Sequence, residues 1–342
     1  MIFGIDLLFL FNESTLMSRK KSRSRIVTAS LAVALVLLFF FLFFSYLHAY
    51  AFTHPTESKN LEINRDGMKL TTLDLIKATL MGIRPIRHNP ERTPKDYDLI
   101  YENVNFYSSD ELSIKGWWIP SSKQKATIIF AHGYNGNRGN LEITTFLNKA
   151  GYNVLMFDFR GHGGSDGNYI SMGHYEKRDI EGAINYLSQR NDVDMARIYG
   201  LGQSMGAAAL LFTQEEHASF KGLILESTYP SLYENVAARF KEVYGFPKFP
   251  FATSLTFFGG LILGVDGFSI SPQNSIKNIR VPILLIHDEL DTSVSIENTR
   301  ALYDNANSPK ELWVAKDAKH TAAYNAGTEE YKEKVLHFLN ES

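Results

Sequence analysis

The sequence contains no cysteine, which excludes disulfide bonds, a thiolate nucleophile and cysteine-ligated metal sites. It also lacks a surplus of either charge, because 35 basic and 37 acidic residues give a net charge of −2. Nucleic-acid-binding proteins usually carry a basic surplus, so this balance argues against that class. With 342 residues, 44% of them hydrophobic, the chain is long enough for one large α/β domain with additions, or for two small domains.

Charged residues are absent from residues 26–47, a run of 22 residues dominated by Leu, Val, Ala and Phe. A helix of about 20 apolar residues crosses the hydrocarbon core of a bilayer. A basic cluster at residues 19–25 directly precedes the run. By the positive-inside rule, the pattern predicts a cytoplasmic segment over 1–25, a single transmembrane anchor over 26–47, and the rest of the chain on the outer side of the cell membrane.

Two alternatives concern this N-terminal region. Ala49-Tyr50-Ala51 resembles the cleavage site of a signal peptide, but the apolar core of a signal peptide usually runs about 7–15 residues. The longer run therefore favours an uncleaved anchor. Met17, which stands just before the basic cluster, is a second candidate for the first residue of the protein beside Met1.

Residues 48–96 are predicted to form a stalk and a packing helix. The helix would begin at Thr71–Asp74 and place Leu73, Ile76, Leu80 and Ile83 on one face. From residue 97 onward, a strand hairpin is followed by apolar strands that alternate with helices, which predicts a mostly parallel sheet covered on both faces. The predicted strands are 99–106, 112–119, 127–131, 154–159, a strand from Ile198, 223–225, 283–286 and 312–314, and the main helices are 140–150, 175–189, the segment after Ser204, and 329–339.

Ser204 lies in Gly202-Gln203-Ser204-Met205-Gly206, between an apolar strand and a run of small helix-forming residues. A G-x-S-x-G sequence between a strand and a helix is typical of a nucleophile elbow, a strained turn where glycine leaves room for both elements. The backbone N–H of Met205, at the start of the helix, would face a developing oxyanion. The alternative is a glycine-rich turn whose serine only caps a helix.

A serine nucleophile needs a base that takes its proton and a carboxylate that orients the base. Polar residues follow several strands of the predicted sheet, where functional groups of parallel sheets collect. After Ser204, two aspartates compete for the acid role, Asp288 and Asp291. His320 is the only histidine between the last strand and the final helix, whereas His337 lies within that helix. The order Ser, Asp, His is thus present in the chain.

From about residue 103 to 339 the chain resembles the α/β-hydrolase superfamily, close to the α/β-hydrolase-domain lipases and the serine-aminopeptidase-like group. The resemblance implies the α/β-hydrolase fold over 97–342, with Ser204 as nucleophile and His320 as base. It implies Asp291 as the acid, because the family places that residue four positions after the histidine that ends the strand, and Asp288 would then be a turn residue. The matching segments are His132-Gly133, residues 158–165, the elbow, residues 287–291 and His320.

The resemblance also implies the Tyr134 N–H as the second oxyanion donor beside Met205, and no cofactor. His132, His162 and His287 would shape the backbone rather than move protons. No pair of histidines has the spacing of a metal site, so we expect no metal. Gln203 stands where the family often has histidine, and should change packing without changing the triad's chemistry.

An insertion at about 227–280 lies where these enzymes carry a cap over the active site, and it is rich in aromatic and aliphatic residues. It indicates either an acyl pocket or plain packing. We predict a membrane-anchored serine hydrolase that cleaves acyl esters or lipid-like substrates through an acyl-enzyme. The alternatives are a serine peptidase or aminopeptidase acting on short peptides, and a membrane-anchored binding protein without catalysis. The expected partners are the small-molecule substrate and the membrane, and no nucleic acid.

Overall fold

A computed structural model describes residues 5–57, 72–217 and 219–342. The chain divides into two compact units, Met1–Tyr46 and Leu47–Ser342. The first unit consists, in its described part, of most of a long helix, α1 (Ile5–Thr53). By length and composition, the part of α1 from Arg23 to Thr53 could cross a membrane, although a signal sequence meets the same test.

Within the described residues, eight strands form one sheet in the order β1-β2-β4-β3-β5-β6-β7-β8. β1 pairs with β2, and β2 with β4, in antiparallel fashion, whereas the remaining neighbours are parallel. The strands are β1 (Glu102–Tyr107), β2 (Ser113–Ile119), β3 (Thr127–Ala131), β4 (Asn153–Phe157), β5 (Ile198–Gln203), β6 (Gly222–Glu226), β7 (Ile283–Asp288) and β8 (Lys310–Ala315).

Helices cover both faces of this sheet, and every residue of β3 to β7 is buried. Such continuous burial is what a parallel sheet between two helical layers requires. The predicted fold class is confirmed, including the hairpin of β1 and β2. Besides α1, the described helices are α2 (Thr72–Met81), α3 (Leu141–Ala150), α4 (Lys177–Ser188), α5 (Met205–His217), α6 (Leu232–Tyr244), α7 (Lys248–Leu263), α8 (Pro272–Ser275), α9 (Ile296–Asn305), α10 (Ala323–Ala326) and α11 (Thr328–Glu341), with 3₁₀ turns at Pro94–Tyr97, Met195–Arg197 and Ile276–Asn278.

The insertion between β6 and β7 holds α6, α7 and α8. The Ser231 hydroxyl caps α6 by accepting a hydrogen bond from the backbone N–H of Glu234, and Gly245 ends the helix in the left-handed conformation. α7 is apolar nearly all round, with Leu255 buried and Phe257 exposed. The two helices pack against each other and form most of the insertion.

The prediction of a stalk directly after residue 47 is wrong for the described residues up to 57. α1 continues to Thr53, and Ala49 and Ala51 are each only 2% exposed. The small side chain of Ala51 allows a close approach to Gly82, where an added Cβ would lie 2.6 Å from the Cβ of Ala51. The segment therefore packs as part of the second unit. The remainder of the predicted stalk, residues 58–71, lies outside the described residues.

The predicted packing helix is present as α2, but its predicted face is wrong. Ile76 and Leu80 are 49% and 67% exposed, whereas Ala78 is fully buried. The Ala78 carbonyl lies 3.2 Å from His48 Nε2 and accepts a hydrogen bond from the Tyr244 hydroxyl at 3.0 Å. Close contact through a small residue therefore replaces the expected apolar stripe. The side chain of Leu73 and the predicted start at Thr71 lie outside the described part.

Candidate active site

Ser204 occupies a sharp turn between β5 and α5. Its φ of 52° lies in the left-handed region, which residues other than glycine rarely adopt. The turn is fixed from both sides, because the Ser204 N–H donates to the carbonyl of Glu226 at 2.8 Å and the Ser204 carbonyl accepts from Ala208 N–H at 3.2 Å. A strained backbone held in this way is typical of a functional site.

The two glycines of the motif are needed because the backbones around the turn approach too closely for a side chain. A Cβ on Gly202 would lie 2.7 Å from the Cα of Ala207, and one on Gly206 would lie 2.1 Å from the carbonyl oxygen of Ala131. Both distances are far below van der Waals contact. The strand, the turn and the helix can therefore meet only with glycine at these positions.

The structure brings Ser204, His320 and Asp291 together in one hydrogen-bonded chain. His320 Nε2 lies 3.0 Å from Ser204 Oγ, and His320 Nδ1 lies 2.6 Å from Asp291 Oδ2. Ser204 directly follows β5, Asp291 lies in the loop after β7, and His320 lies in the loop after β8. The topology of the sheet therefore places all three residues at its carboxyl edge. These distances suit proton transfer between a nucleophile and an oriented base.

The carboxylate of Asp291 is held in its charged form. Burial by itself would raise its pKa, but hydrogen bonds from His320, Val294 and Ser227 outweigh burial and lower the pKa below its usual value. Its Oδ1 accepts the backbone N–H groups of Ser293 at 2.8 Å and Val294 at 3.0 Å. Oδ2 is thereby directed at His320, and the charge can stabilise an imidazolium.

Asp288 is not the turn residue that the resemblance implies. It is the last residue of β7 and is fully buried. Its carboxyl group faces the loop that carries His320. Asp288 Oδ2 accepts the Thr321 N–H at 2.7 Å and lies 2.5 Å from Ser227 Oγ, which is also 2.8 Å from Asp291 Oδ2. Asp288 therefore supports both the loop that carries His320 and the carboxylate of Asp291.

Burial, together with the nearby charge of Glu226, raises the pKa of Asp288 to about 8. The group is then protonated at neutral pH. A hydroxyl has a single hydrogen, so the arrangement is satisfied when the Asp288 carboxyl donates to Ser227 Oγ and the Ser227 hydroxyl donates to Asp291. Ser227 thus gives Asp291 a further hydrogen-bond donor, and the neutral Asp288 places no second negative charge beside Asp291.

This protonation predicts a pH-dependent stability. In the unfolded chain Asp288 loses its proton near its ordinary pKa of 3.8, whereas the folded protein keeps the proton up to about pH 8. The contribution of this proton to the free energy of unfolding is complete below pH 3.8 and is lost as the pH rises to about 8. The free energy of unfolding falls by at most about 1.4 kcal/mol per pH unit over this range. Asp288→Asn, which stays neutral, should show a flatter decline of the free energy of unfolding in urea between pH 5 and 8. Equal slopes in wild type, Asp288→Asn and the exposed control Asp304→Asn would refute this.

Glu226 and Ser227 belong to this site, although neither was among the residues predicted for it from the sequence. Burial raises the pKa of Glu226. Its carboxyl accepts from Gln203 Nε2 at 2.8 Å and from Ala323 N–H at 3.0 Å. Their position at the carboxyl end of β6, next to the elbow strand, is the signal that could have identified them.

The predicted oxyanion donors lie on the two segments that border Ser204. Met205 is the first residue of the 13-residue helix α5, whose N-terminus carries partial positive charge. The His132-Gly133-Tyr134 segment follows β3, and a Cβ built on Gly133 would lie 3.4 Å from the Cβ of Ser204. The Tyr134 side chain donates its hydroxyl hydrogen to the Phe52 carbonyl at 2.7 Å and stacks on the Phe52 ring.

Of the three other histidines of the motifs, two bond backbone groups and one bonds a side chain. His132 Nε2 accepts the Phe159 N–H at 3.0 Å, and His162 Nδ1 lies 2.9 Å from the carbonyl of Arg160. His287 Nδ1 lies 2.9 Å from the hydroxyl of Thr299. Burial lowers the pKa of all three histidines, so they are neutral. His337 lies exposed on α11.

Among the described residues, Glu181, Glu216 and His217 form a group with ligand atoms within 4.8 Å of one another. The group lies at the far end of α5, about 18 Å along the helix from the elbow. Lys177 pairs with Glu216, and His217 Nε2 lies 3.0 Å from Glu181. These partners describe a charged surface group. That no metal or cofactor takes part stays a prediction.

Comparison with known proteins identifies the class. The family described as "Serine aminopeptidase, S33" matches residues 122–255. Protein YqkD of Bacillus subtilis is 31% identical over 231 residues, covering 66% of this chain and 75% of YqkD. The α/β-hydrolase domain-containing protein WAV2 of Arabidopsis thaliana is 28% identical over 258 residues, covering 72% of this chain and 81% of WAV2.

Among solved structures, the Pyrococcus furiosus esterase Pf2001 is 31% identical with a TM-score of 0.64, covering 75% of this chain and 98% of the esterase. The fold and the site define an α/β protein with a nucleophile elbow. The chain belongs to the α/β-hydrolase superfamily. It is accordingly a hydrolase.

Proposed function

We propose that the protein is a membrane-anchored serine hydrolase that cleaves carboxylic esters of acyl or lipid-like substrates. The observation that carries the proposal is the continuous chain of hydrogen bonds from Ser204 through His320 to an ionised Asp291. Each group has the geometry that its step requires, and no cofactor enters the chemistry.

In the proposed reaction, Ser204 Oγ attacks the ester carbonyl carbon while His320 Nε2 takes the hydroxyl proton. Asp291 holds the Nδ1–H of the ring and stabilises the imidazolium. The backbone N–H groups of Met205 and Tyr134 stabilise the oxyanion of the tetrahedral intermediate. His320 then gives its proton to the departing alcohol, and the acyl-enzyme is released by a water molecule that His320 deprotonates.

The groups around the triad support esters over peptides. An aminopeptidase needs carboxylates free to bind the substrate's ammonium group. Two acidic groups next to the triad, Glu226 and Asp288, are fully buried and bonded to Gln203, Ala323, Thr321 and Ser227, so neither is free to bind an ammonium group. The esterase named among the solved structures adds support, whereas the description of the matching family keeps short-peptide hydrolysis as the second candidate.

A substrate panel separates the candidates. We expect kcat/KM for p-nitrophenyl butyrate to exceed that for aminoacyl p-nitroanilides by about 100-fold or more, with the Ser204→Ala protein as the background. Faster cleavage of the anilides would favour the peptidase. No cleavage of either class by folded wild type would favour a binding protein without catalysis.

We also propose that α1 stays attached and anchors the protein, with its basic N-terminus in the cytoplasm and the hydrolase unit outside. Ala49 and Ala51 are helical and buried within the unit Leu47–Ser342, so cleavage after residue 51 would remove contacts that the folded unit uses. The intact mass of the membrane-extracted protein tests attachment, and protease added to intact cells tests the orientation. Loss of residues up to 51 in the mature protein would refute the anchor.

A further inference from the structure

A largely apolar cavity lies between the end of α1 and the helices α6 and α7. All of its walls belong to the unit Leu47–Ser342, and the space between the lining atoms, which includes the part open to solvent, is about 820 Å³. Side chains that define the cavity are Phe52, Tyr134, Val236, Phe240 and Leu255, together with the backbone of Gly259.

Tyr134 belongs both to the wall of the cavity and to the segment next to the proposed reaction centre. The ring of Tyr134 forms part of the wall, and its backbone N–H is the proposed oxyanion donor. Its neighbour Gly133 lies against Ser204. The cavity itself is not bordered by Ser204 or His320, so it would hold the part of a substrate that does not react.

The end of α1 is a fixed wall of this cavity. The last carbonyl groups of a helix lack partners within it. Here the Phe52 carbonyl accepts from the Tyr134 hydroxyl at 2.7 Å, and the Thr53 carbonyl accepts from Ile170 N–H at 2.7 Å. His48, which also lines the cavity, directly follows Leu47, the last residue of the proposed membrane span. The cavity is thus built by residues next to the anchor in the chain.

Two features of α7 show that the protein's own side chains leave part of the cavity unfilled. A Cβ built on the buried Gly259 would meet no heavy atom within 4 Å. The hydroxyl of Thr256, also in the wall, is buried and has no hydrogen-bond partner among the described residues. A well-packed helix interface would normally fill such space and satisfy such a group.

We propose that this cavity holds the acyl chain of a membrane lipid ester whose carbonyl lies at Ser204. The proposal deepens the esterase function above and rests on it. Long acyl chains match the apolar walls, and a lipid ester is present in the bilayer to which α1 would attach the enzyme. Each methylene buried in such a site raises kcat/KM by up to about fourfold, until the chain reaches the end of the cavity.

A side chain added at Gly259 should reduce the length of acyl chain that the cavity can hold. The measurement is the ratio of kcat/KM for p-nitrophenyl laurate to that for the butyrate, with the full chain in detergent. We expect Gly259→Phe to lower this ratio at least tenfold and Gly259→Ala to lower it less, because only a methyl group enters. Leu261→Phe adds bulk on the 65% exposed side of α7 and should keep the wild-type ratio within about twofold. An unchanged ratio in Gly259→Phe, with hydrolysis of the butyrate retained, overturns the proposal and leaves the esterase function standing.

A second measurement does not depend on catalysis. Palmitate with a photoreactive group at its chain end is added to the full Ser204→Ala chain in phospholipid nanodiscs, and crosslinked residues are identified by mass spectrometry. We expect crosslinks in 48–53, 232–244 and 252–263, and at least a fivefold loss when Gly259→Phe is added but not when Leu261→Phe is added. Crosslinks that are absent there, or equal in all variants, overturn the proposal. If no ester is cleaved but these crosslinks form and respond to Gly259→Phe, the esterase function fails while chain binding in the cavity stands.

Discussion

Ser204→Ala is expected to lower kcat for ester hydrolysis by about 10⁴-fold or more, because no other group within reach of His320 supplies an activated nucleophile in the described site. The matched control is Ser121→Ala, another buried serine, whose hydroxyl donates to the Asn148 carbonyl far from the triad. That variant should keep its kcat and lose only stability. Activity above about 1% of wild type in Ser204→Ala would contradict the assignment of the nucleophile.

The losses of kcat caused by removing His320 and by removing Ser204 should not be additive. His320→Ala is expected to cost about as much as Ser204→Ala, and the double variant should be no slower than either single one, since each removal already disables the same proton transfer. Multiplicative losses in the double variant would mean that the two side chains act in separate steps.

Asp291→Asn is expected to lower kcat by about 10⁴-fold with little change in the fold. An amide in place of the carboxylate can present its NH₂ group to His320 Nδ1, which favours the tautomer that cannot accept the serine proton. The effect should be in kcat, because the residue does not touch the substrate. Steady-state kinetics with a butyrate ester provide the measurement.

The matched comparison is Asp288→Asn, three residues earlier. Asparagine can place its amide oxygen at the position of Oδ2 and accept there from Thr321 N–H and from the Ser227 hydroxyl. Asp291 then loses the donor Ser227 but keeps His320 and the backbone N–H groups of Ser293 and Val294, so we expect less than about a tenfold loss of kcat. The opposite pattern, a collapse in Asp288→Asn and tolerance in Asp291→Asn, would show that the acid of the triad had been assigned to the wrong aspartate.

The elbow was predictable because its signal is local. Gly202, Ser204 and Gly206 stand within five positions, and both glycines are required by backbone contacts that the spacing itself creates. The order of the acid and the base could also be read along the chain. The role of Asp288 could not, since its protonation depends on Glu226 and Ser227 at the end of another strand. No local pattern relates residues brought together by the pairing of β6 and β7.

The contribution of the helix end was not predictable for a similar reason. The interpretation of residues after 47 as a stalk followed from the polarity of residues 51–60, whereas Ala51 is buried where Gly82, some thirty residues later, allows a close approach. The sequence analysis likewise located the insertion without its helices. α7 is apolar on nearly every side and therefore lacks the periodic contrast that indicates an amphipathic helix.

The most direct test of the account is labelling of the purified full chain with a fluorophosphonate, followed by mass spectrometry of the modified peptide. The account predicts one label on Ser204, no label in Ser204→Ala, and much slower labelling in His320→Ala and Asp291→Asn. A folded wild-type protein that takes up no label, or takes it up on another residue, would contradict the claim that Ser204 is an activated nucleophile.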